Sequence, residues 1–374
     1  MIVTLALRNL AHDKVRLLAT LFGVAFSVIL MIGQSAIYAG ASKTITTMID
    51  QSQADLWIMP VGSQSFEDGL PLLTDSDRQR TTSTNGVKSV TPIVAAFANW
   101  MEPSGVIDVI VLVGSDPDAG GPRPAVSPDN GAELAGTRSV IVDRRYLNDL
   151  GVKGVGDAAG IGDFSVRVTG LSEGIRSFTQ SPYVFAKPEQ ARKYLGVPSG
   201  STTFLLVKTE PTANVGNVQR TLSMRLSNVD VLTTPEFRAR SLNTWLMKTG
   251  AGQALIIGTI LGAIIGASIV AQTINMSVRD HESEFALLRC MGSSISYVQS
   301  IVLIQALAIA ATGAAIGIGL FLPTVPLSRD TPLFLMITPR LLALVIVATF
   351  GISLVSSIGA MNKLKKLDPA ILVK

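Results

Sequence analysis

Charge is scarce in this chain. Of its 374 residues only 16% are Asp, Glu, Lys or Arg, against 48% hydrophobic, and the mean hydropathy is +0.43. Soluble domains carry about 25% charged residues. The deficit is local. Leu17 to Ser42, Thr249 to Val278, Cys290 to Ser328 and Leu341 to Asn362 contain no Asp, Glu, Lys or Arg at all. A helix rises ~1.5 Å per residue, so roughly 20 apolar residues cross a ~30 Å hydrocarbon layer, and all four runs are long enough. Cysteine is reduced to Cys290, which excludes an intrachain disulfide. Histidine is reduced to His12 and His281, too few for a metal site of the usual His/Cys kind. No GxxxxGK[ST] loop is present, so the chain itself is not expected to bind ATP. The glycine-rich GVKGVGDAAGIG (151–162) lacks the strand and helix context of a nucleotide loop. No GxSxG elbow occurs, and acidic neighbours such as Glu67 with Asp68 read as solvated surface. No cofactor and no catalytic or metal centre is expected. Larger polar groups are sparse in the spans, Gln34, Gln272, Asn275 and Gln305 among them, with no ionisable residue at mid-span. That argues against a proton relay or an ion-coupled carrier.

What is present is a four-span membrane protein. An α/β domain is inserted between spans one and two, because residues 43–248 have ordinary soluble composition. The divisions expected are a short amphipathic helix on the inner leaflet over 1–14, with Val3, Leu7 and Leu10 apolar; spans over 15–42, 249–277, 297–322 and 340–362; a charged segment over 278–296; a short outer loop over 323–339; and a basic tail over 363–374. The first span is too long for a cleaved signal core and reads as retained. Lys and Arg in the short flanks set orientation. Arg8, Lys14 and Arg16 precede span one, Arg279 and Arg289 lie between spans two and three, and Lys363, Lys365, Lys366 and Lys374 follow span four. The other short loop holds only Arg329, with Arg340 at its edge. Both termini are therefore expected in the cytoplasm and the large domain outside it, in the periplasm if the cell has one. The net charge of +4 then reflects topology and gives no sign of nucleic-acid binding.

In the large domain, DVIVLVG (108–114), SVIVD (139–143), FSVRVTG (164–170), YVFA (183–186), TFLLVK (203–208) and VDVL (229–232) read as strands. Pro188–Leu195 and Asn214–Leu226 read as helices. The Pro/Gly-rich SDPDAGGPRPAVSPDNG (115–131) is a loop that could separate two subdomains. Pro235–Lys248 reads as a helix running unbroken into span two, a continuous rod. In span two, Gly258, Gly262 and Gly266 recur every four residues, a spacing that lets helix backbones approach closely in lipid. Packing within the chain and a dimer interface with a second copy are both open, and the dimer is favoured. Span three repeats the pattern with Gly313 and Gly317.

The most charged stretch, RDHESEFALLRCMG (279–292), lies between two uncharged runs. A helix is expected over Asp280–Met291, with Phe285 and Leu288 on one face, Leu287 and Met291 on a neighbouring stripe, Glu282 and Arg289 on one side, and Gly292 at its end. An amphipathic helix of this kind suits docking into a partner's groove; simple anchoring of the loop is the plainer reading.

This segment resembles the coupling loop of ABC-transporter permeases of the MacB/FtsX superfamily. It is most similar to the DevC-like branch, whose loop typically reads SDHxxEYAxLKAMG. Asp280, His281, Glu284, Ala286, Leu288, Met291 and Gly292 coincide, and Phe285 and Arg289 replace Tyr and Lys conservatively. LRNLAHDKVRLLATLFGVAFSVILM (7–31) resembles the family's entry helix, IRSFTQSPYVF (175–185) a recurring string of its outer domain, and KLKKLDPAILVK (363–374) its tail. The resemblance implies a non-catalytic permease. Two copies would assemble, as a homodimer, with two separate ATPase subunits that hold Mg-ATP and grip Asp280, His281, Glu282, Glu284, Phe285, Leu288, Arg289, Met291 and Gly292. It implies mechanotransmission to the periplasmic domain, a periplasmic adaptor (a membrane fusion protein), an outer-membrane channel of TolC type, and export of hydrophobic cargo such as lipid or glycolipid. Signalling to an extracytoplasmic enzyme without transport is the alternative. No long coiled hairpin is present that could itself serve as the adaptor.

Overall fold

The computed structural model describes residues 2–67, 72–122, 134, 136, 138–328 and 334–364. The chain divides into two compact units, Met1–Gly40 with Ala251–Lys374, and Ala41–Gly250.

The first unit is helical. Helix α1 (Ile2–His12) is followed by α2 (Lys14–Gln51), which continues past the unit boundary, then α7 (Ala251–Asp280), α8 (Glu282–Cys290), α9 (Ile295–Phe321), the short α10 (Thr324–Leu327) and α11 (Pro339–Leu364). Four helices are long and apolar enough to cross a membrane, at Lys14–Gln51, Ala251–Asp280, Ile295–Leu327 and Pro339–Gly359. Helix α9 starts where Ser294 Oγ accepts the Tyr297 N–H at 3.2 Å, closing one of the unpaired donors of the first turn. The core joins Val24, Val28 and Ile32 of α2 with Val270 and Ile274 of α7, Val302 and Ile309 of α9, and Val345 of α11. Helix α1 shares that core. Ala6 is fully buried and Leu5 and Leu10 pack against it, while Val3 and Leu7 are exposed.

Small residues set the approach of α2 to its neighbours. A Cβ on Gly258 would lie 2.9 Å from Cδ of Gln34, one on Gly262 would lie 3.1 Å from Cβ of Leu30, and one on Gly266 would overlap the Ser27 hydroxyl. Ser27 Oγ donates to the Gly262 carbonyl at 2.6 Å. Gly313 and Gly317 of α9 meet Val24 and Val28 of α2 in the same way. Packing within the chain, one of the two readings open for Gly258, Gly262 and Gly266, is thus met by α2. These positions are filled by α2 of the same chain, because lipid offers helices little gain from apolar burial and close backbone contact is what holds them.

The second unit carries a nine-stranded mixed sheet, with β1 (Leu56–Pro60), β2 (Val87–Met101), β3 (Ile107–Gly114), β4 (Ser139–Asp143), β5 (Ala158–Ile161), β6 (Phe164–Ser172), β7 (Tyr183–Ala186), β8 (Phe204–Thr209) and β9 (Val229–Thr233). Pairings run β2–β3–β7–β4–β6–β5 and return to β2, closing a ring. Val94, Trp100, Ile110, Leu112, Val140, Val168 and Val184 fill it, and Trp100 Nε1 donates to the Leu150 carbonyl at 3.0 Å. The first half of β2 pairs instead with β8, beside β1 and β9. The exchange falls between Ile93, the last residue paired with β8, and Val94, the first paired with β3. Thr203 bridges it: its N–H and its hydroxyl both donate to the Ile93 carbonyl, at 3.0 and 2.9 Å, and its Oγ1 accepts the Ala95 N–H at 2.9 Å. An aromatic cluster of Trp57, Phe66, Phe204 and Phe237 packs between this flanking sheet and the outside of the ring.

Four helices complete the unit, α3 (Asp75–Thr82), α4 (Pro188–Tyr194), α5 (Val215–Arg225) and α6 (Thr234–Leu242). Helices α3 and α6 open on reciprocal capping boxes, Thr74 with Asp77 and Thr233 with Glu236. The ring draws strands from both sides of the Pro/Gly-rich 115–131, so that stretch does not divide the unit; 123–131 lies outside the described residues. The continuous rod into span two is also corrected. Helix α6 passes into a π-helical segment, Asn243–Lys248, and Gly250 then takes φ +79 before α7 begins. Left-handed backbone is inexpensive only for glycine, and it ends one helix before the next starts.

Candidate functional site

The helix expected over Asp280–Met291 is present as α8, set off from α7 by a one-residue break. Helix α7 carries on to Asp280, and His281 (φ −106, ψ 21) breaks the run. The His281 N–H donates to the Ser277 carbonyl at 3.2 Å, and its Nδ1 lies 3.0 Å from the same oxygen, which can only accept. Helix α8 then spans Glu282–Cys290 and stops at Gly292, whose φ of +91 suits its place after the last turn.

Burial reverses the expected faces of α8. Phe285 is 1% exposed and Ala286 likewise, both inside the core of this unit; Leu288 packs against the same core. The exposed apolar residues are Leu287, at 53%, and Met291, at 68%. Glu284 and Cys290 are also exposed, and Glu282, His281 and Arg289 are half-buried. The expectation that Phe285 and Leu288 fill a groove on a partner is therefore corrected for Phe285, which is a core residue, and weakened for Leu288. Spacing by three establishes that two residues share a face without saying which face turns inward. The surface a partner would meet carries Glu284, Leu287, Met291 and, at the corner, Asp280.

Behind α8 several polar residues of the helical unit are paired with one another. Ser277 Oγ donates to Gln305 Oε1 at 3.3 Å, and Gln305, itself fully buried, donates through Nε2 to the Ala6 carbonyl at 3.4 Å. Asp13 caps α2, accepting the Arg16 N–H at 3.0 Å, and also holds the Arg16 guanidinium at 3.3 Å. Arg16 reaches across to form an ion pair with Asp280. Among the described residues no three His, Cys, Asp or Glu side chains gather as a metal centre would require.

The 175–185 string serves a structural purpose in the second unit. The Ile175 N–H and the Ser172 hydroxyl donate to Asp143, at 2.9 and 3.3 Å. Burial pushes the Asp143 carboxyl above its ordinary range, outweighing these hydrogen bonds. The Ser177 and Tyr183 hydroxyls both donate to Glu67, at 3.1 and 2.7 Å. Burial, followed by the nearby Glu67 charge, raises the Tyr183 phenol well above its usual value. Glu67 is only 6% exposed, which corrects its reading as solvated surface; its neighbour Asp68 lies outside the described residues. Sequence spacing carries little signal for either buried carboxylate, since, apart from the Arg145 N–H beside Asp143, their partners lie 29 to 116 positions away. On the outside of the ring, Phe97, Met101, Ile107 and Val109 form an exposed apolar band across β2 and β3.

The MacB-like periplasmic core domain matches residues 17–224, and the FtsX-like permease C-terminal domain matches 256–369. Two uncharacterized ABC transporter permeases of Mycobacterium tuberculosis, from strains CDC 1551 and H37Rv, are each 22% identical over 372 residues, covering 98% of this chain and 97% of the relative. Among solved structures, the extracellular domain of the noncanonic ABC-type transporter YknZ from Gram-positive bacteria aligns with a TM-score of 0.36 at 17% identity, covering 48% of this chain and 99% of that one. The periplasmic region of MacB from Actinobacillus actinomycetemcomitans aligns with a TM-score of 0.37 at 13% identity, covering 53% and 95%. With one domain matched over more than half its length and the second over most of the remainder, this chain belongs to the MacB/FtsX superfamily of ABC transporter permeases.

Proposed function

We propose that the chain is a mechanotransmitting permease whose α8 corner is gripped by a separate cytoplasmic ATPase. The observation that carries this reading is the exposed face of α8, where Glu284, Leu287 and Met291 stand on solvent between two apolar helices. A short helix with an apolar anchor and flanking charge is what helix-in-groove docking needs. ATP-driven closure of two ATPases on two permease copies would push on α8, and the long helices would relay that motion to the α/β unit. The basic flanks support termini in the cytoplasm and the α/β unit in the periplasm. The exposed apolar band of Phe97, Met101, Ile107 and Val109 supports a hydrophobic cargo or adaptor outside the membrane, and with it the export of lipid or glycolipid through an adaptor and an outer-membrane channel. That band also favours export over pure signalling.

The test is Glu284→Arg in the full chain, reconstituted with the ATPase encoded beside it. Membrane insertion is expected to stay at the level of the parent, with ATPase retention and stimulated hydrolysis lost. Retention and stimulation equal to the parent protein would remove the assignment. A lipid extract that raises hydrolysis only when the adaptor is present would identify the cargo class.

A further inference from the structure

The amino-terminal segment lies along the α7–α8 corner, and nothing in the proposed grip on α8 uses it. Its contacts form a ladder. Thr20 Oγ1 and Thr273 Oγ1 are 2.9 Å apart. One turn earlier on α2, Arg16 pairs with Asp280 while Asp13 holds it from behind. At the end of α1, the His12 ring meets the His281 ring edge-on, with centroids 6.3 Å apart. These are the only two histidines of the chain, and 269 positions separate them in sequence (281 − 12). Inside, the fully buried Gln305 takes Ser277 of α7 on one end and the Ala6 carbonyl of α1 on the other. Residues 12 to 20 thus meet residues 273 to 281 at three levels, and Ala6 is joined to Ser277 indirectly, through Gln305 of α9.

Magnitudes show what this ladder is for. The Arg16–Asp280 pair is part-exposed, with side-chain accessibilities of 29% and 44%. Ion pairs so exposed contribute little to stability. Holding the fold together therefore does not account for it; the helical unit already has the α2–α7 and α2–α9 packing described above. Fixing the angle at which α8 leaves α7 does. His281 is the one residue between the two helices; Asp280 before it is paired with Arg16, its own ring meets His12, and on the α8 side the same ring lies 6.4 Å from that of Phe285.

We propose that α1 and the first turns of α2 are a clamp that positions α8, with Arg16 and His12 as its positioning residues, so that the corner and the amino-terminal segment move as one body during the transport cycle. This rests on the reading of α8 as the ATPase-gripped element, and the two can fail separately.

The experiment uses the full chain in lipid nanodiscs with the ATPase encoded beside it. Arg16→Asp is expected to lower permease-stimulated ATP hydrolysis about fivefold, at the low end of coupling effects between sites, while ATPase co-purification stays at the parent level. The exchange Arg16→Asp with Asp280→Arg is expected to recover most of that loss. Unchanged stimulation in Arg16→Asp overturns the clamp. A second measurement covers the case in which Asp280 also meets the ATPase and the exchange does not recover. In a Cys290→Ser chain, Thr20→Cys with Thr273→Cys places two thiols within disulfide reach. Oxidation is expected to leave stimulation intact, because the joined elements do not part in the cycle. Stimulation that disappears on oxidation and returns with reductant overturns the clamp. Loss of ATPase co-purification in Arg16→Asp also overturns it, since a positioning residue does not carry the docking. If Glu284→Arg leaves retention and stimulation untouched, it is the reading of α8 that falls.

Discussion

At the scale of single residues, two positions show how differently burial acts on similar chemistry. Asp143 is 1% exposed and its carboxyl titrates above the ordinary range because burial outweighs the three donors that face it, the Ile175 and Arg145 N–H groups and the Ser172 hydroxyl. A raised folded-state value means that its contribution to stability is complete below the unfolded value, about 4 for an aspartate, and is lost as pH rises through the raised one. Thermal unfolding of the full chain and of Asp143→Asn between these limits should show the advantage of the parent shrinking as pH rises; an advantage that grows with pH contradicts the assignment. Gly266 makes a steric case. With Ser27 against its Cα, Gly266→Leu must push α2 and α7 apart, and overpacking of this kind costs about 1–3 kcal/mol. The melting temperature in detergent should fall, with the oligomeric mass from light scattering unchanged. A change of mass without a change of stability would restore these glycines to a subunit interface.

At the scale of elements, α8 separates into a side that folds and a side that works. Phe285→Ala removes a fully buried ring, and losses of that kind run to about 3–5 kcal/mol, so reduced yield and a lowered melting temperature are expected. Leu287→Glu and Met291→Glu alter exposed residues; their melting temperatures should match the parent while ATPase retention drops. The opposite pattern would mean that α8 presents its other side. Much at this scale was legible. The strand readings at 108–114, 139–143, 164–170, 183–186, 203–208 and 229–232 fall on β3, β4, β6, β7, β8 and β9, because β-branched and apolar runs bounded by turns form buried strands. The strands passed over were β1, β2 and β5. LWIMP is short, AAGI is small and glycine-bearing, and β2 is interrupted by Pro92, each weakening the local signal. Helix α3 was missed although Thr74 and Asp77 stand at capping-box spacing, a mark that was available to be read. The break at Gly250 and the turn at His281 were not anticipated, since a helical pattern on both sides conceals a one-residue change of direction.

At the scale of the whole molecule, the four apolar helices and the inserted α/β unit were visible from composition alone, because charge-free runs of this length have few other homes. The approach of His12 to His281 was not, as no local period reports a contact spanning most of the chain. The proposed orientation has a direct check in the single thiol. Cys290 is exposed. A membrane-impermeant maleimide should label it in inside-out vesicles and leave it untouched in intact spheroplasts. Labelling in spheroplasts would invert the topology and with it the ATPase assignment.

Strand β2 has one further implication. Its fifteen residues are hydrogen-bonded to β8 over the first half and to β3 over the second. The ring and the flanking sheet are therefore wired in series through an unbroken covalent ribbon, with no plane along which they can slide. A pull on either one therefore reaches the other along the backbone through the Ile93–Val94 exchange.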